Sequence, residues 1–233
     1  MYNIKTLRGT IFCPPIKYSK DFVSSLADLV AGYIPVIVQD NGTLPFLPNW
    51  RLSSPDEKTL LSFNGERIDI LQTIEKKVKD DTIQSFSRHC ETIFKKILEN
   101  TSFNCYRIAL APSLIISDKD VKAPSLYKKM FYINRFQGEE LDTSDFSQVY
   151  RIKKIIGDNN IIINHVVNFH AESELTTTNV GNQVRNRYIG DFDINTMVKP
   201  EYKFSIDNVK EFFDFAPSCF KDFYNLYLSN RKD

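Results

Sequence analysis

Polar side chains recur at alternate positions from Asn168 to Glu174 in "IIINHVVNFHAESEL" and, with Ile189 the one exception, from Arg185 to Asn195 in "VRNRYIGDFDINT". A period of two marks a strand with one buried and one wetted face, so two long antiparallel strands joined by a polar loop near Thr178 to Asn182 are predicted. That loop position fixes the register. It sets Glu174 opposite Arg185 and Glu172 opposite Arg187, two complementary cross-strand pairs on a solvated face. Upstream, "FSQVYRIKKII" and the turn residues Gly157-Asp158-Asn159-Asn160 add a third strand and make a meander.

The rest of the chain alternates between helical and strand periodicity. In "SKDFVSSLADLVAGYIP" the residues Phe22, Leu26, Leu29 and Val30 share a helical face, with Gly32 and Pro35 as stop signals. "NWRLSSPDEKTLLSFNGERIDIL" reads as two strands across a Ser-Ser-Pro-Asp turn. A long amphipathic helix follows, carried by Ile83, Phe86, Cys90, Ile93, Phe94, Ile97 and Leu98. "NCYRIALAPSLIIS" is then a buried type of strand, and "APSLYKKMFYINRF" a shorter helix or turn. A last helix carries Val209, Phe212, Phe213, Phe220 and Phe223, with Pro217 expected to kink or break it.

These elements predict an α+β fold of antiparallel sheets with helices packed on one face. "FNGERIDIL" and "YIGDFDINT" share an aromatic residue, a glycine, an acidic residue and Asp-Ile, and each precedes a helix rich in phenylalanine. That echo would fit two similar halves, residues 1–120 and 121–233, or one compact domain with two glycine-bearing strands.

Composition narrows the function. Lysine and arginine (30) nearly cancel aspartate and glutamate (29), so nucleic acid or an anionic membrane would have to be met by a local patch. The opening "MYNIKTLRGTIFCPP" has no signal-peptide pattern and no run approaches the ~18 apolar residues of a membrane span, so a cytoplasmic protein is expected. Cys13, Cys90, Cys105 and Cys219 are widely spaced, which argues for buried free thiols over a zinc or redox pair.

Candidate chemistry is sparse. Eight glycines form neither a Walker loop nor a dinucleotide fingerprint, so no cofactor is expected. His89 and Cys90, consecutive on a helix, diverge by about 100° and cannot serve one acceptor. His170, Glu172, Asp191 and Asp193 are the candidates for a divalent metal, because alternation gathers them on one face of neighbouring strands. The arginines opposite make a charge-paired surface the favoured reading. Tyr127, Lys128, Lys129, Phe131, Tyr132 and Arg135 interleave basic and aromatic residues and are the candidate partner-binding segment; with Arg151, Lys153 and Lys154 they could also contact phosphates.

"WRLSSPDEKTLLSFNGERIDILQ", the Phe/Ile-rich helix and "YRIALAPSLII", with the late "FDINT", resemble a sporadically distributed family of bacterial proteins of this length with no assigned activity. The resemblance implies no catalytic residues. Its distribution, like that of mobile-element or anti-phage defence genes, implies a non-enzymatic interaction or regulatory component with a protein partner. Two alternatives stand beside it: a metal-dependent nuclease or other hydrolase built on dispersed carboxylates, and nucleic-acid binding through a basic-aromatic patch.

Overall fold

A computed structural model describes residues 2–15, 19–30, 32–38, 49–79, 81–101, 104–117, 146–156, 159–178, 181–199 and 202–225. Among them are nine strands and three helices. The strands are β1 (Tyr2–Phe12), β2 (Ile34–Val38), β3 (Asn49–Ser53), β4 (Thr59–Asn64), β5 (Arg67–Val78), β6 (Arg107–Ser117), β7 (Phe146–Ile156), β8 (Asn159–Thr178) and β9 (Gly181–Thr196). The helices are α1 (Lys20–Leu29), α2 (Asp81–Asn100) and α3 (Ile206–Tyr224). The protein is mixed α+β, and all nine strands join one antiparallel sheet in the order β2-β3-β4-β5-β1-β6-β9-β8-β7.

The register sorts residues into transverse rows. One row runs Leu52, Leu61, Ile70, Gly9, Leu110, Ile194 and His165, each the direct partner of the next. Directly paired residues share a face, and the six members with side chains are all buried. α2 and α3 come close to this row: a Cβ on Gly9 would stand 2.4 Å from Cys90 Sγ of α2 and 3.6 Å from a Phe213 ring carbon of α3. Tyr2 meets Phe220 edge-on at 5.2 Å between ring centroids, and Phe22 of α1 meets Phe63 at 6.1 Å.

Local chemistry fixes the helices. Ser19 caps α1 by accepting from the Phe22 amide at 3.1 Å. In α2 the buried positions Ile83, Phe86, Cys90, Ile93 and Ile97 recur every three or four residues, with Phe94 beside Ile93, so one apolar stripe faces the sheet. Ser205 and Asn208 form a reciprocal capping box at the start of α3. Two expectations are corrected. Pro217 does not break α3, which runs unbroken through it. The segment expected to form two strands also forms three, because Gly65–Glu66 turns the chain between β4 and β5.

The turns follow local rules as well. β4 and β5 are joined by Gly65–Glu66, with Gly65 at φ +53°, as a tight primed hairpin turn requires at its first central position. Between β1 and β5 the register shifts once: Ile4 faces Lys76 and Thr6 faces Thr73, leaving Ile74 and Glu75 opposite Lys5. Glu75 sits there at φ +48°, a left-handed backbone that a glutamate adopts only under constraint.

Candidate functional site

One residue along from the apolar row lies its polar counterpart. Arg51, Ser62, Asp69, Thr10, Ala109, Asn195, Asn164 and Arg151 are partnered in turn across eight strands. The period of two puts this row on the sheet's other face. Arg8, Arg67, Arg107, Asp191, Asp193 and His170 join it at even offsets along their strands. Five arginines from five strands therefore share this face with three aspartates, a local basic excess that the nearly neutral whole-chain composition conceals.

The face carries several local polar contacts. Thr10 Oγ1 donates to Asp69 Oδ1 at 2.6 Å and Arg67 Nε lies 2.8 Å from Asp69 Oδ2 as an ion pair, so this buried carboxylate is charge-compensated. Asn164 Nδ2 donates to Asn195 Oδ1 at 3.0 Å. The Arg107 guanidinium lies 4.7 Å from the centroid of Phe12, its direct partner on β1. Burial pushes the Asp193 carboxyl above the usual range, against the opposing pull of Asn195, Arg107 and Arg8. Arg8 and Arg151 are exposed, while Arg51 and Arg107 are partly so. Cations from both sides of the sheet thus reach solvent.

The four candidate metal ligands do not converge. His170 Nδ1 is 3.5 Å from Asp191 Oδ2. Glu172 is instead bound to Lys5, Nζ to Oε1 at 2.5 Å. Among the described residues no group of three or more His, Cys, Asp or Glu side chains could hold a metal ion. The expected register holds, with Glu172 facing Arg187 and Glu174 facing Arg185. The expected solvated, self-contained hairpin face does not: Arg187 is 7% exposed and also reaches Glu75 Oε1 at 3.5 Å. Both pairs cross to the other half of the sheet.

Tyr127, Lys128, Lys129, Phe131, Tyr132 and Arg135 lie outside the described residues. Lys154 spans 4.6 Å to the Phe215 ring centroid, packing back onto α3. His89 is turned from Cys90 and shares a 2.9 Å hydrogen bond with the Tyr33 hydroxyl. Reading single motifs missed Arg8, Thr10, Asp69 and Arg107. Their signal was alternation in "IKTLRGTIF", "RIDILQT" and "RIALAPS", which marks a polar face without revealing that the first segment lies between the other two.

No family model and no curated protein matches the chain. Among solved structures it is similar to the rolling circle replication initiator protein from Geobacillus stearothermophilus, at 12% identity over 96% of this chain and 84% of that one, with a TM-score of 0.32. The expected non-enzymatic interaction or regulatory component is corrected here: the similarity found is to a replication initiator, on the side of the nuclease and nucleic-acid alternatives. At that score the functional reading rests on the polar face alone.

Proposed function

We propose that the polar sheet face binds nucleic acid, with the helices confined to the opposite face. The observation that carries the reading is the register: Arg8, Arg51, Arg67, Arg107 and Arg151 come from five strands onto one surface whose other members are mainly threonine, serine, asparagine and aspartate. Such a face offers guanidinium forks to phosphate oxygens and hydroxyl and amide groups to sugars and bases. Asp69 offsets Arg67, with which it pairs, so the basic excess is carried by Arg8, Arg51, Arg107 and Arg151 against Asp191 and Asp193.

The strand order supports a quasi-symmetric surface. Outward from the central β1–β6 pair run β5, β4, β3 and then β2 on one side and β9, β8, β7 on the other, with α2 following β5 and α3 following β9. This is the arrangement an internal duplication would leave, with Asp69 and Asp193 in matching strands. The glycines of the sequence echo do not match, Gly65 being in a turn and Gly190 within β9. A cytoplasmic setting fits the four buried free cysteines.

The test is fluorescence anisotropy with labelled single-stranded and duplex oligonucleotides. Arg8→Glu and Arg151→Glu should each weaken binding at least tenfold. Lys95→Glu on α2 should leave it unchanged. Binding that survives both arginine reversals would sink the reading.

A second reading, hydrolysis of the bound strand, is favoured by the His170–Asp191 contact on the same face. A carboxylate at Nδ1 orients the ring and leaves Nε2 to take a proton from water. Cleavage of a labelled oligonucleotide, lost in His170→Ala, would establish it.

A further inference from the structure

We propose that the outer part of the β8–β9 hairpin is a strap, closed over the polar face by two ion pairs and opened when phosphates compete for its cations. The inference rests on the nucleic-acid reading above, and it concerns how that face is regulated.

Among the described residues β7 pairs β8 only as far as Phe169, and β6 pairs β9 only as far as Tyr188. Beyond them, from Ala171 to Thr178 and from Gly181 to Arg187, the two strands pair with each other alone among the described residues. This two-stranded ribbon is about 25 Å long at ~3.4 Å per residue.

Its root is tied to strands it does not adjoin. Lys5 of β1 binds Glu172 of β8, and Glu75 of β5 binds Arg187 of β9, each pair three places apart in the sheet order. On a flat sheet those strands would stand about 14 Å apart, too far for side chains rising from the surface to meet. The ribbon therefore bends over the polar face. Glu172 and Arg187 are themselves cross-strand partners, so the four charges form one clasp.

The opposing side of the clasp is built by the β1–β5 irregularity. Lys5 is the residue faced by two, and Glu75, at φ +48°, is one of those two. A bulge re-aims side chains, and here both re-aimed residues are the ones that reach the ribbon. Closed, the clasp neutralises Lys5 and Arg187 with carboxylates. Open, it presents both cations to a polyanion on the face that carries Arg8 and Arg107.

Zero-length carbodiimide coupling tests this on the intact chain, because it joins an amine to a carboxylate only in contact. The yield of the Lys5–Glu172 crosslinked peptide is read by mass spectrometry against potassium chloride, and then at fixed ionic strength with a 20-nucleotide oligonucleotide whose binding is followed by anisotropy. The yield should fall several-fold with salt, and again when oligonucleotide saturates the protein. Hydrogen exchange in 171–187 should quicken in Lys5→Glu and return part of the way in Lys5→Glu/Glu172→Lys, which restores that pair but sets a lysine opposite Arg187. A yield unmoved by salt, with exchange unchanged in Lys5→Glu, would overturn the strap. A yield unmoved by oligonucleotide that demonstrably binds would overturn its gating. No binding at all would defeat the nucleic-acid reading and, with it, gating by nucleic acid, while the salt titration still decides whether the strap exists.

Discussion

Ser87 Oγ of α2 donates to the carbonyl oxygen of Phe213 in α3 at 2.5 Å. That carbonyl is the one Pro217, four residues on, cannot serve, because proline has no N–H. A hydroxyl from the neighbouring helix takes the place of the missing donor, and α3 runs through its proline unbroken. Ser87→Ala should cost about 1–3 kcal/mol in denaturant unfolding, the cost of an unsatisfied buried carbonyl. The same change in a Pro217→Ala background should cost clearly less, since the restored amide can serve Phe213. Equal costs in both backgrounds would separate Ser87 from the proline.

Gly9 is fixed by close approach. A Cβ there would meet Cys90 Sγ at 2.4 Å and Cys90 Cβ at 3.2 Å, and neither atom can swing away from a fully buried helix position. Gly9→Ala should destabilise by about 1–3 kcal/mol. Adding Cys90→Ala should recover part of that loss, although alone it leaves a small cavity. Thermal melts of the two single variants and the double variant read the coupling directly.

His165 should make the protein acid-sensitive. Its side chain lies against Phe223 at 4.2 Å between ring centroids, with both ring nitrogens buried and without a hydrogen-bond partner among the described residues. Burial pushes the imidazole down to about 4, with the Asp222 charge pulling the other way. The folded form thus binds a proton less readily than the unfolded chain, whose value is near 6.5. Its contribution is fully present above pH ~6.5 and is lost as pH falls from there toward 4. His165→Leu should flatten the stability profile across that window; an unchanged slope would place the acid sensitivity elsewhere.

Charge swapping at the hairpin should fail. Arg187→Glu with Glu172→Lys preserves opposite charges across the strands, but it sets a lysine against Lys5 and a glutamate against Glu75. The double variant should remain less stable than wild type by at least ~2 kcal/mol, because Arg187 is buried. Adding Lys5→Glu and Glu75→Lys should restore most of the loss.

The long β8–β9 hairpin, its register and the helical stripe of α2 were legible because each is a short-range pattern, set by period and turn position. The sheet order was not. Nothing in "IKTLRGTIF" indicates that it will lie between "RIDILQT" and "RIALAPS", since that pairing is decided by which apolar faces bury each other under α2 and α3. The polar face assembled by that order was consequently invisible, although every one of its residues obeys the alternation visible in its own strand. Arg187 shows the same limit: its cross-strand partner followed from loop length, but its contact with Glu75 depends on a bend and a bulge outside the hairpin.

The salt dependence of oligonucleotide binding tests the central claim most directly. If the polar face neutralises phosphates, the logarithm of the association constant should fall linearly with the logarithm of salt concentration. Arg8→Ala and Arg151→Ala should each reduce the slope by about 1, the change for one lost phosphate contact. The helix-side control Lys95→Ala should leave both slope and affinity unchanged. Binding whose salt slope is unaffected by Arg8 and Arg151 but altered by Lys95 would place the interface on the helices and contradict the account.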